Sequence, residues 1–375
     1  MSGRAVLFGV GDIAPRRQQP KDMFARLDGR LHGADLVFGQ LEAPLSDRGA
    51  PMPHVRLAMR CEPAAASAIR EAGFDVVSFA GNHCLDWGLD AFADTLRHVG
   101  EAGLALCGAG ATEAASRRPA VLEAGGLKVA FLAYSSILPA GYAADGGCGG
   151  SAPMRAFTHY EQIETDQPGT PARVHTFPHR EDLRRLCEDV RTAKAACSVV
   201  IVSLHWGVHF VPAEIADYQR DVAKAAVQAG ADAILGHHPH ILKGIELIGG
   251  RPVFYSLGNF AIEQPTAFIE GLVQTRGFKE ISALNADFDP TRSYIAPKDT
   301  QLSMIAKLTL TRDGVADTRF IPVMIDDDAR PAALAGTDPG FRRVTDYVAD
   351  ITRSQGLGSD FVVDGDEIIV RGEAT

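Results

Sequence analysis

The sequence predicts an α/β protein, and two observations carry that prediction. Short β-branched runs alternate with amphipathic segments along most of the 375 residues. Motifs rich in Asp, Glu, Asn and His stand directly after several of those runs, at strand carboxyl ends, where α/β proteins place their sites.

The elements follow in order. Residues 5–11 read as a strand, 20–32 as a helix and 34–42 as a second strand. A helix at 63–72, a strand at 75–80, a helix at 89–102 and a strand at 104–107 continue the alternation. Residues 119–124 and 127–134 form two strands joined by the Gly125-Gly126 turn. The stretch 136–178 has no sustained period and carries Gly146-Gly147-Cys148-Gly149-Gly150, so it is predicted to be a lid without regular structure. It also holds His159, Tyr160 and His175, with His179 just beyond. Helices at 179–195 and 214–229 then alternate with strands at 199–204 and 233–235, and a hairpin spans 240–248 and 251–256. Residues 263–301 are again irregular. A hairpin over Asp313-Gly314, a helix at 338–354 and strand-like residues around 360–370 make a carboxyl-terminal extension, 302–370, of one domain spanning 1–375.

Composition limits the function. The chain is 46% hydrophobic and 22% charged, which is ordinary for a soluble globular protein. Its net charge of −10 argues against non-specific nucleic-acid binding, which needs basic patches to displace counterions. The apolar run 5–10 is too short for a signal-peptide core, and no stretch reaches the roughly 18 apolar residues of a membrane span. Six scattered cysteines without CxxC pairs indicate neither a zinc knuckle nor a disulfide framework. The expectation is a cytoplasmic protein with no membrane or nucleic-acid partner.

Five motifs carry the chemistry: Gly11-Asp12, Leu41-Glu42, Gly81-Asn82-His83 with Asp86 beyond, His205-Trp206-Gly207, and Gly236-His237-His238-Pro239-His240. Each has an ordinary use alone, as a turn, a cap or a core histidine. Together they supply carboxylate, amide and imidazole groups, the set that holds Zn, Mn or Fe with positions open to water and substrate. So many ligands suit two divalent ions about 3.5–4 Å apart, sharing a water and clamping an oxyanion. Glu42 is the candidate bridging carboxylate. His238 and His240 lie two apart, so on an extended segment both point to one side and His237 faces away. His83, beside the ligand Asn82, is free to act as a general acid or to bind developing negative charge.

At Gly81-Asn82-His83 and Gly236–His240 the chain resembles the calcineurin-like metallophosphoesterases. The fuller resemblance, over roughly residues 5–260, is to their CapA-like (poly-gamma-glutamate capsule protein) branch. It includes Leu41-Glu42-Ala43-Pro44-Leu45, Asp86-Trp87-Gly88, Leu204-His205-Trp206-Gly207 and Tyr255-Ser256-Leu257-Gly258-Asn259-Phe260. The resemblance implies a four-layer α/β/β/α sandwich, with Asp12, Glu42, Asn82, His205, His238 and His240 as metal ligands and His83 as the catalytic histidine. Asp86 and His209 join the catalytic set, and Trp206 and Asn259 are candidate substrate contacts. Two positions depart from the pattern. Asp12 is followed by Ile13-Ala14 where the superfamily has Asp-x-His, leaving one metal position a ligand short, and His209 stands where the branch commonly has Glu.

The function expected is hydrolysis of a phosphoester or a gamma-glutamyl or peptide amide, on a small-molecule or peptide substrate. One alternative is a metal-dependent peptide epimerase, with bases drawn from Asp12, His83 or His209. The other is a non-catalytic binding protein on the same fold.

Overall fold

The computed structural model describes residues 3–55, 57–263, 274–276, 279, 280, 283, 287–289 and 294–372. In chain order the strands begin with β1 (Arg4–Ala14), β2 (Leu36–Leu41), β3 (Val76–Ser78), β4 (Ala105–Cys107), β5 (Ala109–Gly110), β6 (Ala120–Ala124) and β7 (Leu127–Ser135). Next come β8 (Gly150–Ser151), β9 (Ala156–Gln162), β10 (Ala172–Pro178), β11 (Val199–His205), β12 (Ala233–His237), β13 (Ile245–Ile248), β14 (Arg251–Phe254) and β15 (Asn259–Ile262). The last five are β16 (Leu302–Thr311), β17 (Gly314–Ile325), β18 (Pro331–Ala333), β19 (Ser359–Asp364) and β20 (Glu367–Gly372). The helices are α1 (Ala65–Glu71), α2 (Gly88–Glu101), α3 (Glu113–Ser116), α4 (Arg180–Ala196), α5 (Asp217–Ala229) and α6 (Pro339–Ser354).

Two large sheets and two two-stranded ones, β5-β8 and β9-β10, are built from these strands. The first runs β19-β20-β17-β16-β1-β2-β3-β4, with β15 also on β1 and β18 on β17; the second runs β13-β14-β12-β11-β7-β6. Strands β1 to β4 are parallel, as are β7, β11, β12 and β14. β2 and β11 are buried along their whole length, as parallel strands covered on both faces must be, and they read as predominantly apolar runs for that reason.

Three apolar layers show the stacking. Phe8, Val10 and Phe79 meet Ile69 of α1 and Phe92 of α2 on the outer face of the first sheet. Leu7, Phe38, Phe131 and Leu235 fill the seam between the sheets. Leu186 and Val190 of α4 and Val222 of α5 cover Val200 and Ile234 on the outer face of the second. The order is therefore helix, sheet, sheet, helix, the predicted four-layer sandwich. α6 adds Phe341, Val344 and Val348 to the seam cluster.

The structure differs from the sequence reading in four places. The helix expected at 20–32 is two 3-10 helices, Pro20–Leu27 and Arg30–Gly33, split where Asp28 and Gly29 turn left-handed (φ 47° and 71°). Residues 302–325 are no appendage, because β16 pairs with β1 along seven residues and so lies at the centre of the first sheet. The stretch 136–178 is not a structureless lid. It contains β8 and the β9–β10 hairpin, which docks on α5 through Thr176 N to Asp217 Oδ2 (3.1 Å) and Tyr218 N to Thr176 Oγ1 (3.0 Å). The hairpin was hidden because β9 is almost wholly exposed, so no apolar alternation marks it. The strand expected from 240 begins only at Ile245, since His238 and His240 adopt positive φ. Much of the irregular 263–301 lies outside the described residues. No helix among the described residues is long and apolar enough to cross a membrane.

A candidate metal centre at the strand carboxyl ends

Each site residue is delivered by a strand end. Asp12 follows Gly11 on β1, where a Cβ at Gly11 would collide with the carbonyl oxygen of Gly258; only glycine lets the chains approach so closely. Next to it the register of β1 against β2 and β15 shifts at Asp12, an irregularity that turns the carboxylate out of the sheet plane. Glu42 leaves the end of β2, Asn82 and His83 follow β3, His205 ends β11 and His237 ends β12.

The groups stand on two sides of Glu42. On one side His205 Nε2 lies 2.7 Å from Asn82 Oδ1, and His205 Nδ1 lies 3.7 Å from Glu42 Oε2. On the other, His240 Nδ1 lies 3.3 Å from Asp12 Oδ2, and His240 Nε2 lies 3.9 Å from Glu42 Oε1. The His238 ring stands 4.9 Å from that of His205 and 6.1 Å from that of His240. Ligand atoms each about 2.0–2.2 Å from one ion sit roughly 3 Å apart, and these separations approach that spacing. Asp12, Glu42 and His205 offer ligand atoms that all lie within 4.8 Å of one another.

The electrostatics favour a cation. Both carboxylate oxygens of Glu42, Nδ1 of His205, Nδ1 of His238 and Nε2 of His209 are buried without any hydrogen-bond partner. Buried polar atoms are ordinarily satisfied, so such a cluster calls for an explanation. Burial, reinforced by Asp12 and Asp86, pushes the Glu42 carboxyl well above its usual range. Burial likewise holds the His205 imidazole down at about 3 and those of His209 and His238 well below normal, leaving neutral rings with free lone pairs. Burial would raise Asp12 as well, but the imidazoles of His237 and His240 outweigh it and keep the carboxylate ionised. Neutral imidazoles, an ionised aspartate and a stranded glutamate fit a divalent ion.

The remaining predicted residues fall into three positions. His83 faces a cleft of about 80 Å³ together with Glu42, His209, His240 and Asn259, between apolar walls that include Leu57, Met59, Phe210 and Ile262. Asp86 lies behind His83: Oδ2 takes His83 Nδ1–H at 2.6 Å and the Met59 N–H at 2.8 Å, and Oδ1 takes the Tyr142 hydroxyl at 3.1 Å. It does not reach the cleft. Asn259 lines the cleft and accepts from His240 Nδ1 at 2.8 Å, fixing that ring. Trp206 is not a cleft wall. It is fully buried beneath α5, stacked 5.8 Å from Tyr255 and donating Nε1–H to the Tyr255 carbonyl at 3.0 Å. Trp206→Ala should therefore destabilise the fold by about 3–5 kcal/mol without lowering metal content, a pair of results that urea unfolding and elemental analysis would check together.

His237 also contradicts its expected place. Gly236–His240 is not an extended segment, since His238 and His240 have φ of 93° and 57°, and His237 points at Asp12 with Nδ1 3.1 Å from Oδ1. A left-handed non-glycine residue is strained, and two of them two positions apart stand at the most histidine-rich point of the chain. Gln40, buried with Nε2 bonded to the Leu41 and Ala80 carbonyls, and Tyr142 both support the site, and no sequence signal singled out either. No described residue of 136–178 lines the cleft, so that stretch contributes Tyr142 rather than a cover. A larger hollow of about 580 Å³ around Arg17 and Glu263 contains no imidazole, and its arginines are paired, Arg17 with Glu263 and Arg330 with Asp328.

The profile of the bacterial capsule synthesis protein PGA_cap family matches residues 6–264, which carry all five motifs. The chain belongs to that family. Among its relatives, the PGA biosynthesis protein CapA of Bacillus subtilis is 26% identical over 328 residues, covering 83% of this chain and 78% of the relative. The capsule biosynthesis protein CapA of Bacillus anthracis is 28% identical over 245 residues, covering 64% of this chain and 54% of the relative, so the match spans about half of that protein. A solved calcineurin-like phosphoesterase from Bacillus subtilis superposes with a TM-score of 0.42 at 14% identity, covering 94% of this chain and 97% of that one. For this PGA_cap chain the family match ends at residue 264, just after β15, so α6 and β16 to β20 lie beyond it although β16 pairs with β1.

Proposed function

We propose that the chain is a metal-dependent hydrolase that uses two divalent ions, Mn, Zn or Fe, held on either side of Glu42. One observation carries this reading: buried, unpartnered ligand atoms of Glu42, His205 and His238 converge beside Asp12, Asn82 and His240. Asn82, His205 and His238 would hold one ion and Asp12 and His240 the other, with Glu42 shared. Bound there, such a pair supplies Lewis acidity, which makes a water nucleophilic near neutral pH and neutralises charge on a substrate oxyanion.

The protein's own groups do the rest. Asp86 accepts the hydrogen bond from His83 Nδ1–H, so Nε2 is the nitrogen left for substrate, and the doubly protonated ring, its charge balanced by Asp86, would donate Nε2–H to a leaving group as general acid. Tyr142 and the Met59 N–H keep Asp86 from rotating away. His209, stacked on Phe210 with centroids 3.8 Å apart, leaves Nε2 free for a substrate oxygen. Leu57, Met59, Phe210 and Ile262 exclude water around it. The scissile group is a phosphoester or an amide, and the relatives' names make a gamma-glutamyl amide the first substrate to try.

The test is elemental analysis of protein loaded with Mn²⁺ or Zn²⁺, beside a screen of phosphoesters and gamma-glutamyl peptides. Metal content of about two ions per chain, dropping in His240→Ala, is expected. His83→Ala should keep its metal yet lose roughly 10²–10⁴-fold in turnover. A chain that takes up neither ion would end the proposal.

A further inference from the structure

We infer that His237 is a positioning residue of the metal centre: it holds the Asp12 carboxylate across the seam between the two sheets, the support that β1 itself does not provide. The inference rests on the metal-centre reading above. Two residues after Asp12, where a second imidazole would stand in an Asp-x-His motif, the chain has Ala14, which is buried in the apolar layer under the first sheet. Asp12 therefore receives no help from its own strand.

The help comes from β12, in the other sheet. His237 Nδ1 lies 3.1 Å from Asp12 Oδ1, and the His238 N–H lies 3.3 Å from Asp12 Oδ2. Each carboxylate oxygen thus receives one donor from the end of β12, and two fixed donors set the plane of the group. Both side chains are fully buried. The surroundings are seam: the Phe38 ring stands 5.9 Å from that of His237, and Leu235, two residues earlier on the same face, packs where a Cβ on Gly9 would be.

Two further points separate positioning from ligation and from plain packing. Among the described residues the side-chain polar contact of His237 is with Asp12 Oδ1. Its Nε2, moreover, is buried with no hydrogen-bond partner, which is unfavourable in a seam lined by apolar side chains. An apolar residue would avoid that cost, so the imidazole is kept for what Nδ1–H does to Asp12.

The experiment titrates Co²⁺ into the full chain and its His237→Leu and His237→Asn variants, following the visible d–d band, with circular dichroism as the check on folding. His237→Leu should bind one cobalt equivalent roughly 10–100-fold more weakly with an altered band, yet reach the wild-type stoichiometry at saturation. His237→Asn, whose amide can still donate to Asp12, should restore most of the affinity and the wild-type band, and it also serves if the Leu variant fails to fold. Wild-type affinity and spectrum in His237→Leu would overturn the inference. So would loss of a whole equivalent at saturation in both variants, which would make His237 a ligand. A wild-type chain that binds no cobalt would overturn the metal-centre reading itself, and this inference with it, a failure visible before any variant is made.

Discussion

Replacing Glu42 with Leu should abolish the stabilisation that bound metal gives this protein and, at the same time, make the metal-free protein more stable. The two effects have one cause. Glu42 is buried with both carboxylate oxygens unpartnered, and Asp12 and Asp86 stand close enough to raise its pKa further. Without a cation it is a destabilising group, because a buried polar atom left unpaired costs about 1–3 kcal/mol. In the proposed centre it would be a ligand reached from both sides. For the wild type, metal at about 1,000 times its Kd adds roughly 4 kcal/mol, which for a chain of this length is a rise of about 5 °C in Tm. Glu42→Leu should show almost none of that rise, while its chelator-treated form should exceed chelator-treated wild type by about 1–3 kcal/mol. Paired thermal melts with and without Mn²⁺ or Zn²⁺ measure both quantities. A variant that still gains from metal, or one less stable than wild type in chelator, would show that Glu42 is not the hinge of the centre.

The four layers and five of the site strands were legible because parallel strands covered on both faces are predominantly apolar, and β2, β7 and β11 are, broken only by single polar residues such as Gln40, Lys128 and Ser203. The ligand motifs were legible for a related reason. Polar residues that end such runs have no apolar role to play, and Glu42, His205 and His237 each follow one directly. What could not be read was the direction of side chains around a turn. The two-residue spacing of His238 and His240 suggested an extended segment, and the positive φ at both positions removed the basis for that argument. Both rings still reach the site, but His237 joins them from the seam. Trp206 directly follows His205, the last residue of β11, and consecutive side chains leaving a strand end need not share a direction. His205 points into the site and Trp206 into the layer beneath α5. Tyr142 and the β9–β10 hairpin lacked any signal, since exposed strands and lone hydrogen-bonding side chains leave no periodic trace.

The loop that carries His209 has its own support, and that support titrates. Gly207, Phe210 and Ala213 all have positive φ (92°, 59° and 60°), so the loop 207–214 is held in a shape it would not choose alone. Three contacts hold it: the Gly207 N–H to Tyr218 Oη at 2.7 Å, the Phe210 N–H to the Pro239 carbonyl at 3.1 Å, and Lys243. The Lys243 side chain is almost fully buried and donates Nζ to the carbonyls of Val211 and Glu214. Burial pushes its pKa from 10.5 down to about 8, with Glu214 opposing only in part. Between pH 8 and 10.5 the unfolded chain keeps a proton on this lysine that the folded chain has lost, so raising the pH favours the folded state. The penalty for burying the charge is fully present below pH 8 and gone above 10.5, a change of about 3 kcal/mol. Buried tyrosines such as Tyr134 and Tyr255 titrate in the opposite sense, which is why the comparison must be with Lys243→Met rather than with pH alone. Urea unfolding of both proteins across that window should show wild type gaining about 3 kcal/mol on the variant, and parallel curves would mean that the ammonium group is not confined as the structure places it. Freeing this anchor should also loosen His209 over the cleft while leaving in place the proposed ligands Asp12, Glu42, Asn82 and His205, which stand on other segments. Lys243→Met is accordingly expected to keep its metal and to raise KM more than it lowers kcat.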